Sequence, residues 1–278
     1  PIMVTEIDNK RLSIDLLLEA IYRKYDYDFR DYAKASISRR IMLLIDELNL
    51  SSITELQHLI IHNPKVFEKV FLKFAIRVTE MFRDPPFFKS LSTDVFPLLS
   101  HYPSIKIWHA GGSSGEEAYS LAILLKEHNL LEKTQLYSTD FNNIDLKLGR
   151  TGTFNTQHLD LYKKNYIASG GKETLSNYYT TTSTTFTINS DIKKQILFAN
   201  HNLVSDHIFG EMNIVICRNV LIYFSRDLQN KVIKLFKDSL TTNGFLCLGS
   251  KETLQFTTSK DHFNTINNDW KIYQLKKK

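Results

Sequence analysis

From residue 105 onward short apolar runs alternate with helical patterns, and that alternation leaves few folds open to the chain. "IKIWHA", "QLYSTD", "ILFA", "NIVICR" and "FLCLGS" read as strands. Between them "EEAYSLAILLKEH", "NIDLKLGR" and "RDLQNKVIKLFKDSL" carry helical spacing, the last with Ser225 as a cap and Asn243 and Gly244 as its expected end. Strands joined through helices pair in parallel, because a parallel return needs a long crossover. An open α/β sheet of the Rossmann-like kind is therefore expected. Such sheets take ligands beyond the carboxyl ends of their strands, where strand order reverses.

That rule singles out the turn in "IKIWHAGGSSGEEAYSLAILL", with Gly111, Gly112, Ser113, Ser114 and Gly115 after the first strand. Glycines at a strand-to-helix turn let the backbone approach a bound group, most often a phosphate. Here Glu116 and Glu117 follow, which would repel a pyrophosphate at the same amides. The glycines run G-G-x-x-G, so the dinucleotide fingerprint G-x-G-x-x-G is absent. Asp140 ends the second strand 24 residues beyond Glu116, a spacing at which an acid meets ribose hydroxyls. A glycine turn and a ribose acid serve dinucleotides and S-adenosylmethionine alike. The glutamates favour the second, which carries an ammonium and a sulfonium and no phosphate. The same glutamates also suit a helix N-terminus that binds nothing.

The first hundred residues have helical periodicity throughout, in "SIDLLLEAIYRKY" from a Ser13 cap, "AKASISRRIMLLIDELNL", "SSITELQHLIIHN" with Ser52 and Glu55 in capping-box spacing, and "NPKVFEKVFLKFAI". Pro85 and Pro86 stop Asp84 from continuing a helix. The expected organisation is a helical domain over 1–76, a connector over 77–100, and a sheet domain over 101–278. Residues 152–196, rich in Thr, Tyr, Asn and Ser, form a small β insertion in it.

Of the 278 residues 42% are hydrophobic, enough for a packed core. The net charge of +5 arises wholly after residue 100, since residues 1–100 hold 14 charges of each sign, and it ends in Lys276, Lys277 and Lys278. A diffuse surplus with no aromatic-basic stripe does not call for nucleic acid. No apolar run is long enough to cross a bilayer and no leader pattern opens the chain, so membrane insertion is not expected and a cytoplasmic location is. Cys217 and Cys247 lie in apolar runs and read as reduced core residues. His109, with no partner at ligand spacing, reads as a core or edge histidine rather than a metal ligand.

Four ordered motifs carry a family resemblance. "GGSSGEEAYSLA" resembles the A-S-T-G-E-E-P-Y-S signature of the chemotaxis receptor methyltransferases of the CheR type, and "NIVICRNVLIYFS" is similar to their C-R-N-V-L-I-Y-F segment. "TEMFRD" resembles their T-x-F-F-R-D connector, and "FANHNL" their asparagine-leucine step. The resemblance covers nearly the whole chain. It implies an enzyme that moves a methyl group from S-adenosylmethionine to glutamates on the cytoplasmic helices of chemoreceptors, releasing S-adenosylhomocysteine and acting as a monomer. By the same resemblance Thr79 and Arg83 contact the cofactor, Arg83 near its methionine carboxylate. Gly111, Glu116 and Glu117 face its polar end, Asp140 holds the ribose, and Asn202 with Leu203 borders the adenine. Arg218, Asn219 and Tyr223 sit beside the methyl-transfer point, and Arg83, Arg218 and Tyr223 are the expected catalytic group. The β insertion corresponds to a subdomain that in some members docks a receptor's C-terminal peptide.

Three departures stand out: Ser114 for threonine, Ala118 for proline, and Arg77 where the family has asparagine. Arg77 keeps open an alternative in which a domain of this kind binds S-adenosylmethionine or its product without turnover. On the catalytic reading no general base is needed, because a glutamate nucleophile is already ionised at neutral pH.

Overall fold

The computed structural model describes residues 6–30, 34–74 and 79–277, so that Arg77 lies outside the described residues. The chain divides into two units, Pro1–Val78 with Tyr223–Gln229, and Thr79–Ile222 with Asn230–Lys278.

The first unit is helical, with α1 (Glu6–Tyr25), α2 (Lys34–Glu47), α3 (Ile53–His62) and α4 (Pro64–Phe74). Its apolar positions recur at three and four and turn inward, Leu17 and Ile21 on α1, Ile41 and Leu44 on α2, Leu56 and Ile60 on α3, Val70 and Phe74 on α4. Ser13 is not the cap of α1, which starts at Glu6, because "EIDNKRL" extends the helix upstream. Ser52 Oγ accepts the Glu55 N–H at 3.1 Å, while the Glu55 carboxylate reaches one residue further back, to the Ser51 N–H at 2.7 Å. Arg40 Nη1 donates to the Lys73 carbonyl at 3.2 Å and to that of Phe74, closing the end of α4. The later segment joins through the Asp28 N–H, which donates to the Tyr223 carbonyl at 2.9 Å, and a bridge between Tyr27 and Phe224.

In the second unit α5 (Pro85–Ser90) and α6 (Phe96–Leu99) lead into β1 (Ile105–Ala110), α7 (Glu116–Glu127), β2 (Thr134–Asp140) and α8 (Asn143–Thr151). Then come β3 (Thr153–Asn155), α9 (Leu159–Ala168), β4 (Tyr179–Thr181), β5 (Thr185–Ile188), α10 (Ser190–Lys193), β6 (Ile196–Asn200) and β7 (Met212–Cys217). The chain continues through α11 (Arg226–Ser239), β8 (Leu240–Leu248), β9 (Phe263–Asn267) and β10 (Ile272–Leu275). The main sheet has seven strands in the order β6-β2-β1-β7-β8-β10-β9. The first five run parallel, and β10 is antiparallel to both its neighbours. Strand order reverses at β1, with β2 and β6 on one side and β7 and β8 on the other, so the carboxyl ends of β1, β2 and β7 are adjacent. The α/β fold with a helical N-terminal part and a small β insertion is as the sequence predicts.

The core of this unit gathers β1, β2 and β7 with α7, which buries Ala118, Tyr119, Leu121 and Leu125, and with Phe87, Phe88 and Leu91. Residues expected to connect are thus helical and buried, because the prolines occupy the first turn of α5, where an N–H has no partner to lose. β3, β5 and β4 form a separate antiparallel sheet in that order, and α9 beside it has no counterpart in the sequence reading. α11 ends at Ser239 and passes directly into β8, so Asn243 and Gly244 lie within that strand; Asn243 is left-handed (φ 63°) and the β7–β8 register shifts between Met212 and Ile214. Cys217 and Cys247 are free and buried, and burial pushes both thiols up. Among the described residues no helix is long and apolar enough to cross a membrane.

Candidate functional site

β1 ends in a turn with almost no room for side chains. Gly111 is left-handed (φ 72°), and a Cβ there would lie 2.5 Å from Val220 Cγ2. A Cβ on Gly112 would lie 2.2 Å from Ser138 Oγ and 3.0 Å from His109 Nδ1. Both glycine N–H groups donate to the Thr139 carbonyl, at 2.8 and 2.9 Å, folding the turn over the end of β2. That closeness lets the Ser113 N–H donate to Asp140 Oδ2 at 2.9 Å, while Asp140 Oδ1 accepts the Asn142 N–H at 2.9 Å. Burial raises the Asp140 pKa, and the two N–H groups oppose the rise.

α7 carries the two glutamates into different surroundings. Glu117 Oε2 accepts from Arg218 Nη1 at 2.7 Å, and Oε1 faces His109 Nε2 at 3.2 Å. Burial alone would raise the pKa of Glu117. The Arg218 charge and the His109 hydrogen bond outweigh it and hold the group down at about 2. Arg218 follows β7 and its side chain is 1% exposed. Nη2 donates to Asp84 Oδ2, Nη1 reaches the Arg83 carbonyl at 3.3 Å, and the guanidinium lies 4.1 Å from the Phe87 ring centroid. A planar, delocalised cation suits such a stacked, forked position better than a lysine would. Glu116 takes its side-chain hydrogen bond from Ser114 Oγ at 2.7 Å rather than from a cation. Burial, with Asp145 nearby, pushes it up to about 7.

The connector reaches α7 through unusual backbone. Phe82 (φ 56°) and Asp84 (φ 57°) are both left-handed, a conformation that costs a bulky residue on the order of 1 kcal/mol. The Phe82 N–H donates to Ser120 Oγ at 2.8 Å, and that hydroxyl donates to the Glu116 carbonyl at 2.7 Å. Arg218 pins the other side of Arg83.

Arg83, Glu117 and Arg218 thus share one cluster, and Gly111, Glu116 and Asp140 share the turn beside it. Asn219 follows Arg218 and is left-handed (φ 59°). Asn202 and Leu203 follow β6, the neighbour of β2; Asn202 Oδ1 accepts the Val204 N–H at 2.9 Å and Leu203 is buried. Thr79, half-buried, opens the second unit. Tyr223 belongs to the helical unit, buried against Phe29 and Phe71 with ring centroids 6.2 and 6.3 Å away. Sequence reasoning missed Glu252, Asp84 and the pairing of His109 with Glu117. For Asp84 the only local signal was its place beside Arg83 in the connector motif.

The donor set fits an ammonium and a ribose diol. Three carboxylates converge on strand ends where a phosphate site would gather amides and lysines. His109 Nδ1, Ser138 Oγ, Asn142 Nδ2 and Arg218 Nε are buried without a protein partner. Among the described residues no group of three or more His, Cys, Asp or Glu could hold a metal ion.

Two family models match the chain, "CheR methyltransferase, SAM binding domain" over residues 77–272 and "CheR methyltransferase, all-alpha domain" over residues 13–74. The chain is 42% identical over 271 residues to "Putative methyltransferase Cher3" of Pseudomonas putida, covering 98% of this chain and 99% of that protein. It is 28% identical over 255 residues to "Chemotaxis protein methyltransferase 1" of Vibrio cholerae, covering 86% and 88%. It also matches an uncharacterized 104.1 kDa protein of Rhodobacter capsulatus at 28% identity, spanning 93% of this chain but 27% of that protein's length.

Proposed function

The chain belongs to the CheR methyltransferase family, and from that premise we propose that it methylates glutamate side chains on the cytoplasmic helices of chemoreceptors. The observation that carries this reading is the acidic set Glu116, Glu117 and Asp140 at the point where strand order reverses. The cofactor, S-adenosylmethionine, supplies a methyl carbon on a positively charged sulfur. Asp140, with one oxygen held by each of two N–H groups, keeps a second lone pair on each oxygen for the ribose hydroxyls. Glu116 offers its carboxylate to the cofactor's ammonium, and Arg83 its guanidinium to the methionine carboxylate. Arg218, committed to Glu117 and Asp84, is a positioning residue that fixes the Arg83 main chain. Thr79 and Gly111 line the polar end, Asn202 and Leu203 the adenine, and Asn219 the acceptor side. The three-stranded sheet β3-β5-β4 is the candidate seat for a receptor peptide.

The acceptor carboxylate is ionised at neutral pH and needs no base. Held by Asp140, Glu116 and Arg83, S-adenosylmethionine would supply its methyl carbon to that carboxylate and leave as S-adenosylhomocysteine. What the protein must supply is in-line placement and removal of water from the carboxylate. Incubation with methyl-labelled S-adenosylmethionine and receptor-bearing membranes is expected to give base-labile label on the receptor. Tight binding of S-adenosylhomocysteine with no label transferred to any receptor would overturn catalysis in favour of a ligand-sensing domain.

Glu116 gives this reading a pH signature. With a folded value of about 7 it is largely protonated at pH 6, and a ligand ammonium beside it favours the ionised form. Binding should therefore release a proton, and affinity should fall by up to about tenfold per pH unit from pH 7 down to 5. Glu116→Gln should flatten that profile, as read by calorimetry with S-adenosylhomocysteine. A flat wild-type profile would remove Glu116 from the site. Its effect on stability has the opposite sense: because the folded value is raised, its contribution is complete below pH 4.5 and is lost as pH rises through 7.

A further inference from the structure

We propose that Glu252 is a positioning residue that sets the main chain of Asn219–Leu221 against the glycine turn, an inference that rests on the cofactor reading above. Glu252 lies just past β8 and is 5% exposed. Its Oε2 accepts the N–H groups of Gly249 at 2.6 Å and Asn219 at 3.1 Å, and its Oε1 that of Val220 at 2.9 Å. The Leu221 N–H donates to it as well. Four main-chain donors from two strand ends thus converge on one buried carboxylate; burial raises its pKa, and the N–H groups oppose the rise.

The packing leaves the carboxylate no other place. A Cβ on Gly249 would lie 2.7 Å from Glu252 Oε2 and 2.9 Å from the Asn219 nitrogen, so only glycine lets the three meet. The turn so held begins at Arg218, passes through left-handed Asn219, and brings Val220 Cγ2 to within 2.5 Å of where a Cβ on Gly111 would be. Glu252 therefore ties the ends of β7 and β8 to the turn after β1, the place where the strand order reverses. It touches none of the groups expected to meet the cofactor except through the Asn219 main chain.

Glutamine is nearly the same size but presents one acceptor oxygen and one NH2 donor. Turned toward these N–H groups, the amide leaves at least one of them facing another donor, and the turn must rearrange. Glu252→Gln is expected to weaken S-adenosylhomocysteine binding at least tenfold by calorimetry, with a melting temperature within a few degrees of the wild type. Glu252→Asp, which keeps the charge on a shorter arm, should fall between the two. The amide proton resonances of Asn219, Val220 and Gly249 should move upfield in Glu252→Gln while those of β1 and β2 stay put. Wild-type affinity in Glu252→Gln would overturn the inference and leave the cofactor reading intact, provided that Asp140→Ala still abolishes binding in the same assay. If the wild type itself fails to bind, both fall. Should Glu252→Gln not fold, Glu252→Asp decides alone: reduced affinity in a natively melting protein supports the role, and unchanged affinity overturns it.

Discussion

Asp140→Ala is expected to weaken S-adenosylhomocysteine binding by at least a hundredfold while the protein stays folded. Each hydrogen bond from a ribose hydroxyl to an ionised carboxylate is worth about 1.5–3 kcal/mol, so losing two removes about 3–6 kcal/mol. The carboxylate also clasps two main-chain segments, accepting from Ser113 after β1 and Asn142 after β2. Alanine frees both N–H groups at a partly open strand end, where water replaces the lost acceptor. Asp140→Asn keeps one acceptor oxygen and should bind between the two. Calorimetry and thermal unfolding on the same samples read both effects. An Asp140→Ala protein that binds like the wild type would remove the ribose acid from this site, and with it the case for a cofactor lodged over β1 and β2.

Arg218→Met should destabilise the second unit by about 3–5 kcal/mol, the usual cost of leaving a buried ion pair without one partner. At about 2–4 °C per kcal/mol for a domain of this size, the melting temperature should drop on the order of 10 °C. Two carboxylates, Glu117 and Asp84, would be left without their shared cation. Glu117→Gln added to Arg218→Met should recover part of the loss, because a neutral amide tolerates burial better than an orphaned anion. The same pair sets acid sensitivity. The Glu117 pKa is depressed from 4.5 to about 2, so its contribution is complete above pH 4.5 and is lost as pH falls toward 2. In Arg218→Met burial is no longer offset by the arginine charge, so that acid limb should shrink or disappear. An unchanged melting temperature and an unchanged acid limb would mean that the pair is not the fastening its distances describe.

What could be read ahead of the structure was whatever local pattern determines. β1, β2, β6 and β7 are apolar runs closed by turn residues, and the turn chemistry at Gly111 follows from glycine alone. β9 was illegible because "FNTIN" exposes most of its side chains, as an edge strand of the main sheet does. α9 was illegible for a related reason: its stripe is made of Leu159, Tyr162 and Tyr166, set in a segment whose threonines and tyrosines favour strands. Boundaries failed where tertiary pairing overrode propensity, as at Leu240, which leaves a helical pattern to pair with Met212. In the candidate site the glutamates and Asp140 carried local signals. The partners of Arg218 did not, since Glu117 lies 101 residues away and Asp84 lies 134. Glu252 was hidden more deeply, because it binds only main-chain amides and these leave no trace in side-chain identity.

The mirror-handed backbone at Phe82 places two opposed demands on a single position. Glycine would relax its dihedral angles but empty a fully buried ring site between Phe88 and Tyr166, whereas any other large side chain fills that space and keeps the twist. No residue type satisfies both. This stretch therefore leaves the sequence little liberty to drift, and a one-residue insertion or deletion between Thr79 and Pro85 would unseat Arg83 more surely than most substitutions of the arginine's neighbours.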